Sequence, residues 1–100
     1  MARVKFGYSL SGDIEDTSEL ISRLKSARYE VKSRRGLESK IYTPGGANHI
    51  MVTLESSDYS LLTMAVGEYI LSAGTPSVVD HGAELVNNAE NMSLMELRQK

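Results

Sequence analysis

The 100-residue sequence has the length of a single domain, with 41% hydrophobic and 24% charged residues, a formal net charge of −2 and no cysteine. This composition is ordinary for a globular protein and excludes a chain disordered throughout, and without cysteine there is no disulfide framework, thiolate zinc site or cysteine nucleophile. No stretch is as long and apolar as a membrane span, and the first ten residues favour a strand over a signal peptide, so we expect a cytoplasmic protein that does not bind membranes.

The first quarter of the chain predicts a strand followed by a helix. Four apolar residues alternate with other residues over positions 3–10, as in a half-buried strand: Val4, Phe6, Tyr8 and Leu10. A polar stretch then ends the strand, and Asp16 and Glu19 have the spacing of a capping box. The predicted first helix covers about residues 17–27.

The next segment predicts a hairpin. An alternation of charged and other residues favours a second strand over residues 29–34. Residues 40–43 are either the continuation of this strand past a bulge at Gly36 or a separate short strand. A Pro-Gly-Gly sequence at 44–46 predicts a turn, and the third strand follows at about residues 48–55.

The second half predicts a helix, a short strand and a tail. Seven residues recur at helical spacing after an N-cap near Asp58: Leu61, Leu62, Ala65, Val66, Tyr69, Ile70 and Ala73. Gly74 and Pro76 end this helix, and residues 77–79 predict a last strand. From residue 81 the chain predicts either a short helix or a partly disordered tail.

The element order β-α-β-β-α-β predicts an α+β fold of the ferredoxin-like, split β-α-β type. Such a domain has an antiparallel sheet of about four strands with two helices on one face. We expect residues 1–80 to form this domain, with residues 81–100 as a C-terminal extension. In this strand order the third and first strands are central neighbours and the fourth lies at an edge.

Charge is distributed unevenly along the sequence. Seven of the eleven Lys and Arg residues lie between Arg23 and Lys40, whereas residues 41–97 contain seven acids and no Lys or Arg. We predict a basic, partner-binding surface formed by the second strand, its loop and the end of the preceding helix: Arg23, Arg28, Lys32, Arg34, Arg35 and Lys40. The alternative is a solvated edge strand whose cations prevent edge-to-edge pairing.

The tail offers a second candidate contact. Three of its apolar residues have no place in a sheet with two helices: Leu94, Met95 and Leu97. They would pack on the sheet of a second copy or cover the open face of their own sheet, which Met51 would line. With the complementary charges of the two halves, this favours a homo-oligomer.

No sequence motif predicts catalysis, a cofactor or a metal. The serines lack a nucleophile elbow, the double glycine precedes a strand and not a helix, and the two histidines, His49 and His81, are not predicted to meet. We therefore predict a small non-enzymatic protein-interaction or oligomerisation module, of the kind found among bacterial or phage accessory and regulatory proteins.

Three alternatives remain open. One is a regulatory domain that binds a small ligand at a dimer interface, near residues 10–16. The others are a nucleic-acid-binding protein, which would need exposed aromatic residues for stacking, and a small enzyme.

Overall fold

The structure, a computed structural model, describes the backbone of residues 1–99 and the side chains of residues 1–92. Its elements, in chain order, are β1 (Ala2–Ser9), α1 (Ile14–Lys32), β2 (Glu38–Tyr42), β3 (His49–Ser56), α2 (Tyr59–Ala73), β4 (Val78–His81) and α3 (Ala83–Gln99).

The four strands form one antiparallel sheet in the order β2-β3-β1-β4. This order and pairing are those of a ferredoxin-like sandwich, so the predicted fold class is confirmed, with β1 and β3 in the centre. Their register pairs Val4 with Leu54 and Phe6 with Val52, which places both apolar rows on the face that the helices cover. The opposite face of the sheet, called the open face below, carries the alternate residues.

Helix α1 is longer than predicted at both ends, and the predicted second strand at residues 29–34 is wrong. Residues 14–32 are helical. The alternation at residues 29–34 also fits a helix, because Val31 continues the 3–4 residue spacing of Leu24 and Ala27, and all three are buried. The predicted capping box at Asp16 is wrong too, since Asp13 is the N-cap and accepts hydrogen bonds from the backbone of Glu15 and Asp16.

The hairpin therefore begins later than predicted, with β2 as a separate strand. The turn after α1 contains Gly36 at φ +83°, in the left-handed region that favours glycine. The predicted turn at Pro44 is confirmed, because the backbone N–H of Ala47 donates to the carbonyl of Pro44 at 3.1 Å. Gly46 takes φ +72° in the same turn.

The helix layer contains three helices, with α2 in the middle. Helix α2 packs against both α1 and α3 and lies over β1 and β3. Leu85, Val86 and Ala89 of α3 are buried in the same core as the sheet residues. The first turns of the predicted C-terminal extension thus belong to the hydrophobic core.

Buried tyrosines place polar groups inside this core. The hydroxyl of Tyr8 donates to the carbonyl of Gly74 at 2.8 Å, at the end of α2. The hydroxyls of Tyr69 and Ser39 lie 2.9 Å apart and join α2 to β2. Burial raises the pKa of both tyrosines. The two rings also flank Phe6 in edge-to-face contacts, so the centre of the sheet is tied to α2.

Candidate interaction surfaces

The six predicted basic residues are divided among α1, the turn after it and β2. Arg23, Arg28 and Lys32 are on α1, while Arg34 and Arg35 are in the turn that follows it. Lys40 is on β2, opposite Thr53 of β3 on the open face. The expectation that Lys32 and Arg34 share one face of a strand is therefore wrong, because neither is in a strand. Their binding of a partner stays a prediction.

Two of the arginines have structural contacts. Arg34 Nη2 lies 3.3 Å from Glu68 Oε1, and both side chains are half-buried, so this pair joins the end of α1 to α2. Arg34 Nη1 and Arg28 Nε are buried without a hydrogen-bond partner among the described residues. Arg23 pairs with Glu19 one turn earlier on α1. Desolvation opposes the use of Arg34 for binding, because its guanidinium is already committed to α2.

Lys32 and Arg35 differ from these arginines. Both side chains are exposed, and neither forms an ion pair within the part of the chain that the structure describes. Lys32 is the last residue of α1, and Arg35 lies in the turn that leads into β2. Of the predicted basic surface, these two residues retain the strongest case for contact with an acidic group.

Lys40 belongs to a network of polar side chains across the open face. Two ammonium groups lie near the ring of Tyr42, with Lys5 Nζ 5.7 Å and Lys40 Nζ 5.8 Å from its centroid. The polar contact of the Lys5 ammonium with the Tyr42 phenol lowers the pKa of Tyr42 and raises the pKa of Lys5. Lys5 also lies 3.8 Å from Asp80 of β4. The face is thus held by contacts between neighbouring strands.

These side chains line an open groove of about 450 Å³. Its charged residues are Arg3, Lys5, Glu38, Lys40 and Glu55, so cations and carboxylates are interleaved. Arg3 and Glu55 lie 3.9 Å apart in an exposed pair. Opposite charges at this spacing largely cancel, and such a groove attracts neither anions nor cations strongly. Tyr42 and His81 are the only two residues with aromatic rings among its lining side chains, which gives little support to base stacking.

Met51 lies on the open face, as expected, but it is only 2% exposed. Its Sδ atom occupies the space above Gly7, 2.4 Å from where a Cβ atom on that glycine would lie. A Cβ atom on Gly7 would force the thioether to move and would also lie close to the carbonyl oxygen of Ile50. The role of Met51 as a partner contact stays a prediction, and its visible role is to fill this gap.

The tail lies in the helix layer and not on the open face. Helix α3 packs against α2, on the side of the sheet away from Met51. The alternative in which the tail covers its own open face is therefore wrong. Leu94, Met95 and Leu97 fall on α3, and their side chains lie outside the described residues.

An apolar surface on α2 and α3 was missed in the sequence. Four large apolar side chains, each between 43% and 53% exposed, form what we call the α2–α3 surface: Tyr59, Met64, Leu71 and Met92. Met64 and Met92 line two adjoining grooves, of about 480 and 90 Å³. Tyr59 borders the larger groove and Leu71 the smaller one, where Arg34 and Glu68 form the rim.

A sequence signal for this surface existed. Met64 and Leu71 lie on α2 outside the apolar stripe of Leu62, Val66 and Tyr69, so α2 is apolar around most of its circumference. A helix of that kind is buried on every side or has an apolar face left for a partner. The position of α3 decides between these two cases. Because α3 covers only one side of α2, part of the apolar surface of α2 stays exposed.

The two histidines are far apart in the sheet, as expected. His49 is opposite Ser9 at one end of β3, and His81 is opposite Lys5 on β4. Within the described residues, no three side chains of His, Asp or Glu are grouped to hold a metal ion. None of the described helices is long and apolar enough to cross a membrane.

Comparison of the chain with family models, with curated proteins and with solved structures finds no match.

Proposed function

We propose that the protein is a non-enzymatic protein-interaction module whose α2–α3 surface binds a basic amphipathic helix of a partner protein. The observation that carries this proposal is the clustering of Tyr59, Met64, Leu71 and Met92 on neighbouring helices. Contiguous apolar patches on soluble proteins commonly mark contact sites. A groove between two helices suits a helix that inserts one apolar face.

The side-chain chemistry of the surface supports such a ligand. Methionine is unbranched and polarizable, so Met64 and Met92 can adapt to the apolar side chains of an incoming helix. Tyr59 offers an aromatic ring with a polar end, and its hydroxyl accepts a hydrogen bond from Asn88 at 3.3 Å. The rim beside Tyr59 is polar and neutral, with Asn88 and Asn91. Such a rim satisfies the polar edge of a peptide without specifying its charge.

The charge of the partner follows from the wider surroundings. Residues 41–97, which include α2 and most of α3, contain acids and no Lys or Arg. Glu84 and Glu90 lie on α3 and Glu68 on α2, and Arg34 is the one cation among the residues that line the two grooves. Electrostatic complementarity then favours a helix with Lys and Arg beside its apolar stripe.

The exposed cations near the start of β2 have a place in the same proposal. Lys32 ends α1 and Arg35 lies in the turn after it, on a segment of opposite charge to α2 and α3. We propose that they contact an acidic part of the partner outside the bound helix. Lys40 and Arg23 are engaged with neighbouring side chains and contribute less.

The proposal is tested by titration with two labelled helical peptides of the same length, one built of Leu and Lys and one of Leu and Glu. Fluorescence anisotropy should show binding of the Leu/Lys peptide and weaker or no binding of the Leu/Glu peptide. Met64→Asp and Leu71→Asp should each weaken the binding by about tenfold or more, because each places a charge in the apolar contact. Equal binding of the two peptides would contradict the proposed charge preference.

Ile14→Asp is the matched control. Ile14 is a large apolar residue that is 82% exposed on α1, away from the α2–α3 surface. This substitution should leave the affinity for the peptide unchanged. If it lowers the affinity as much as Leu71→Asp does, the peptide binds by general hydrophobicity and the proposed surface is wrong.

A further inference from the structure

The two edges of the sheet differ in their fitness for pairing with another strand. β4 has four residues, and its register with β1 shifts between Lys5 and Phe6. β2 has five residues in unbroken register with β3 and contains no proline. Short and irregular edges resist further pairing, whereas a regular strand has free backbone groups along its outer side. The edge available for β-sheet addition is therefore β2.

One side chain of β2, that of Glu38, is a carboxylate beside another carboxylate. Glu38 is exposed and is opposite Glu55 in the register with β3, so two carboxylates are neighbours across the strands. Like charges in directly opposite positions destabilise a sheet. Glu55 has Arg3 on its other side, but Glu38 forms no ion pair within the described residues. A cation beyond the edge of β2 would relieve this repulsion.

We propose that this cation is Lys40 of a second copy, and that two chains pair their β2 strands antiparallel about a twofold axis through Ser39. This arrangement places each Glu38 opposite the Lys40 of the other chain, twice per dimer. It makes one continuous sheet from the two sheets of four strands. The inference does not rest on the proposed function, because it uses neither α2 nor α3.

The choice of register follows from the alternation of side chains. A shift by one residue would put the open-face residues of one copy beside the helix-face residues of the other. Among the remaining registers, a centre at Lys40 or at Glu38 sets two like charges directly opposite each other. A centre at Ile41 puts Pro44, which has no N–H to donate, opposite Glu38. The centre at Ser39 avoids all of these conflicts.

The helix side of the edge is compatible with this register. It places Leu37 of one copy opposite Ile41 of the other, and Ile41 is only half-buried in the single chain. Ser39 on the axis is small, and its hydroxyl is directed inward to Tyr69. The same axis brings two copies of α1 next to each other, since α1 is the helix that packs over β2.

The test is a charge exchange measured by sedimentation velocity over a range of protein concentrations. The unmodified chain should show a concentration-dependent dimer. Glu38→Lys and Lys40→Glu each put like charges opposite each other twice, and should each weaken the dimer by about tenfold or more. The double variant restores both pairs with reversed signs and should return to within about threefold of the original dissociation constant.

Two controls separate this effect from loss of folding. Glu38→Lys removes the repulsion with Glu55 inside one chain, so the monomer should unfold at the same or a higher temperature while the dimer weakens. Glu84→Lys makes the same charge change at an exposed position on α3, on the other side of α2 from β2, and should leave dimerisation unchanged. A chain that is monomeric at every concentration, or a double variant as weak as the single ones, would overturn the proposal. Peptide binding by the α2–α3 surface should persist in the Glu38 and Lys40 variants.

Discussion

At the scale of single residues, the buried tyrosines define how polar groups are accommodated in this small core. Tyr8 and Tyr69 each direct a hydroxyl to a partner on another element: the carbonyl of Gly74 and the hydroxyl of Ser39. A buried hydroxyl without such a partner would lower the free energy of unfolding by about 1–3 kcal/mol. These bonds therefore fix the position of α2 relative to β1 and β2, which in turn sets the place of the α2–α3 surface.

The tyrosines also predict how stability depends on pH. Burial raises the pKa of Tyr8 and Tyr69 in the folded chain, whereas in the unfolded chain each phenol titrates near its usual value of about 10. Above that pH the unfolded state releases protons that the folded state keeps. Above a pH of about 10, the free energy of unfolding should then fall by up to about 1.4 kcal/mol per pH unit for each tyrosine. Below that pH, the contribution of the two phenols to stability is fully present.

Urea denaturation at a series of alkaline pH values checks this slope. Tyr8→Phe removes one of the two contributions, so its stability should fall less steeply with pH than that of the unmodified chain. Tyr29→Phe is the control, since the Tyr29 ring is 79% exposed and its removal should leave the slope unchanged. An identical slope for Tyr8→Phe and the unmodified chain would show that the phenol of Tyr8 is not the cause.

At the scale of elements, the start of α1 gives a direct test of where the helix begins. The carboxylate of Asp13 accepts a hydrogen bond from the backbone N–H of Glu15 at 2.8 Å. Asp13→Ala should lower the free energy of unfolding by about 1 kcal/mol, as the loss of an N-cap does. Asp16→Ala should have a smaller effect, because Asp16 contributes only its charge in the first turn. Chemical denaturation of the two variants shows which aspartate caps the helix. A larger loss of unfolding free energy in Asp16→Ala than in Asp13→Ala would contradict the structure.

The elements show which features the sequence could predict. β1, β3 and α2 were predicted closely because each has several apolar residues at one clear period. The boundary between α1 and β2 was not, since Val31 fits both a strand and a helix, and six residues are too few to separate the two periods. Contact of α1 with α2, which buries Leu24, Ala27 and Val31 together, selects the helix.

The candidate surfaces, too, could be predicted from the sequence only in part. The excess of basic residues between Arg23 and Lys40 was visible in the composition, but their separation onto α1, a turn and the open face depends on the tertiary fold. Met64 and Leu71 were overlooked because they resemble core residues of α2. Whether they are covered is decided by α3, which belongs to a part of the chain that had no clear period in the sequence.

At the scale of the whole molecule, the two proposed surfaces lie on different sides of α2. α1 packs over β2 on one side of α2, and α3 packs on the other. Pairing at the β2 edge would therefore leave the α2–α3 surface of both copies accessible. A dimer of this kind presents two binding surfaces, and it would bind a partner with two basic helices more tightly than either helix alone.

The most direct test of the α2–α3 surface uses the methionine methyl groups as reporters. In a chain labelled with ¹³C at these methyls, addition of the Leu/Lys peptide should shift the NMR signals of Met64 and Met92. The signals of Met51, which is buried over Gly7, and of Met1, which is 89% exposed elsewhere, should stay in place. Saturable binding that shifts Met1 or Met51 and leaves Met64 and Met92 unchanged would contradict the account.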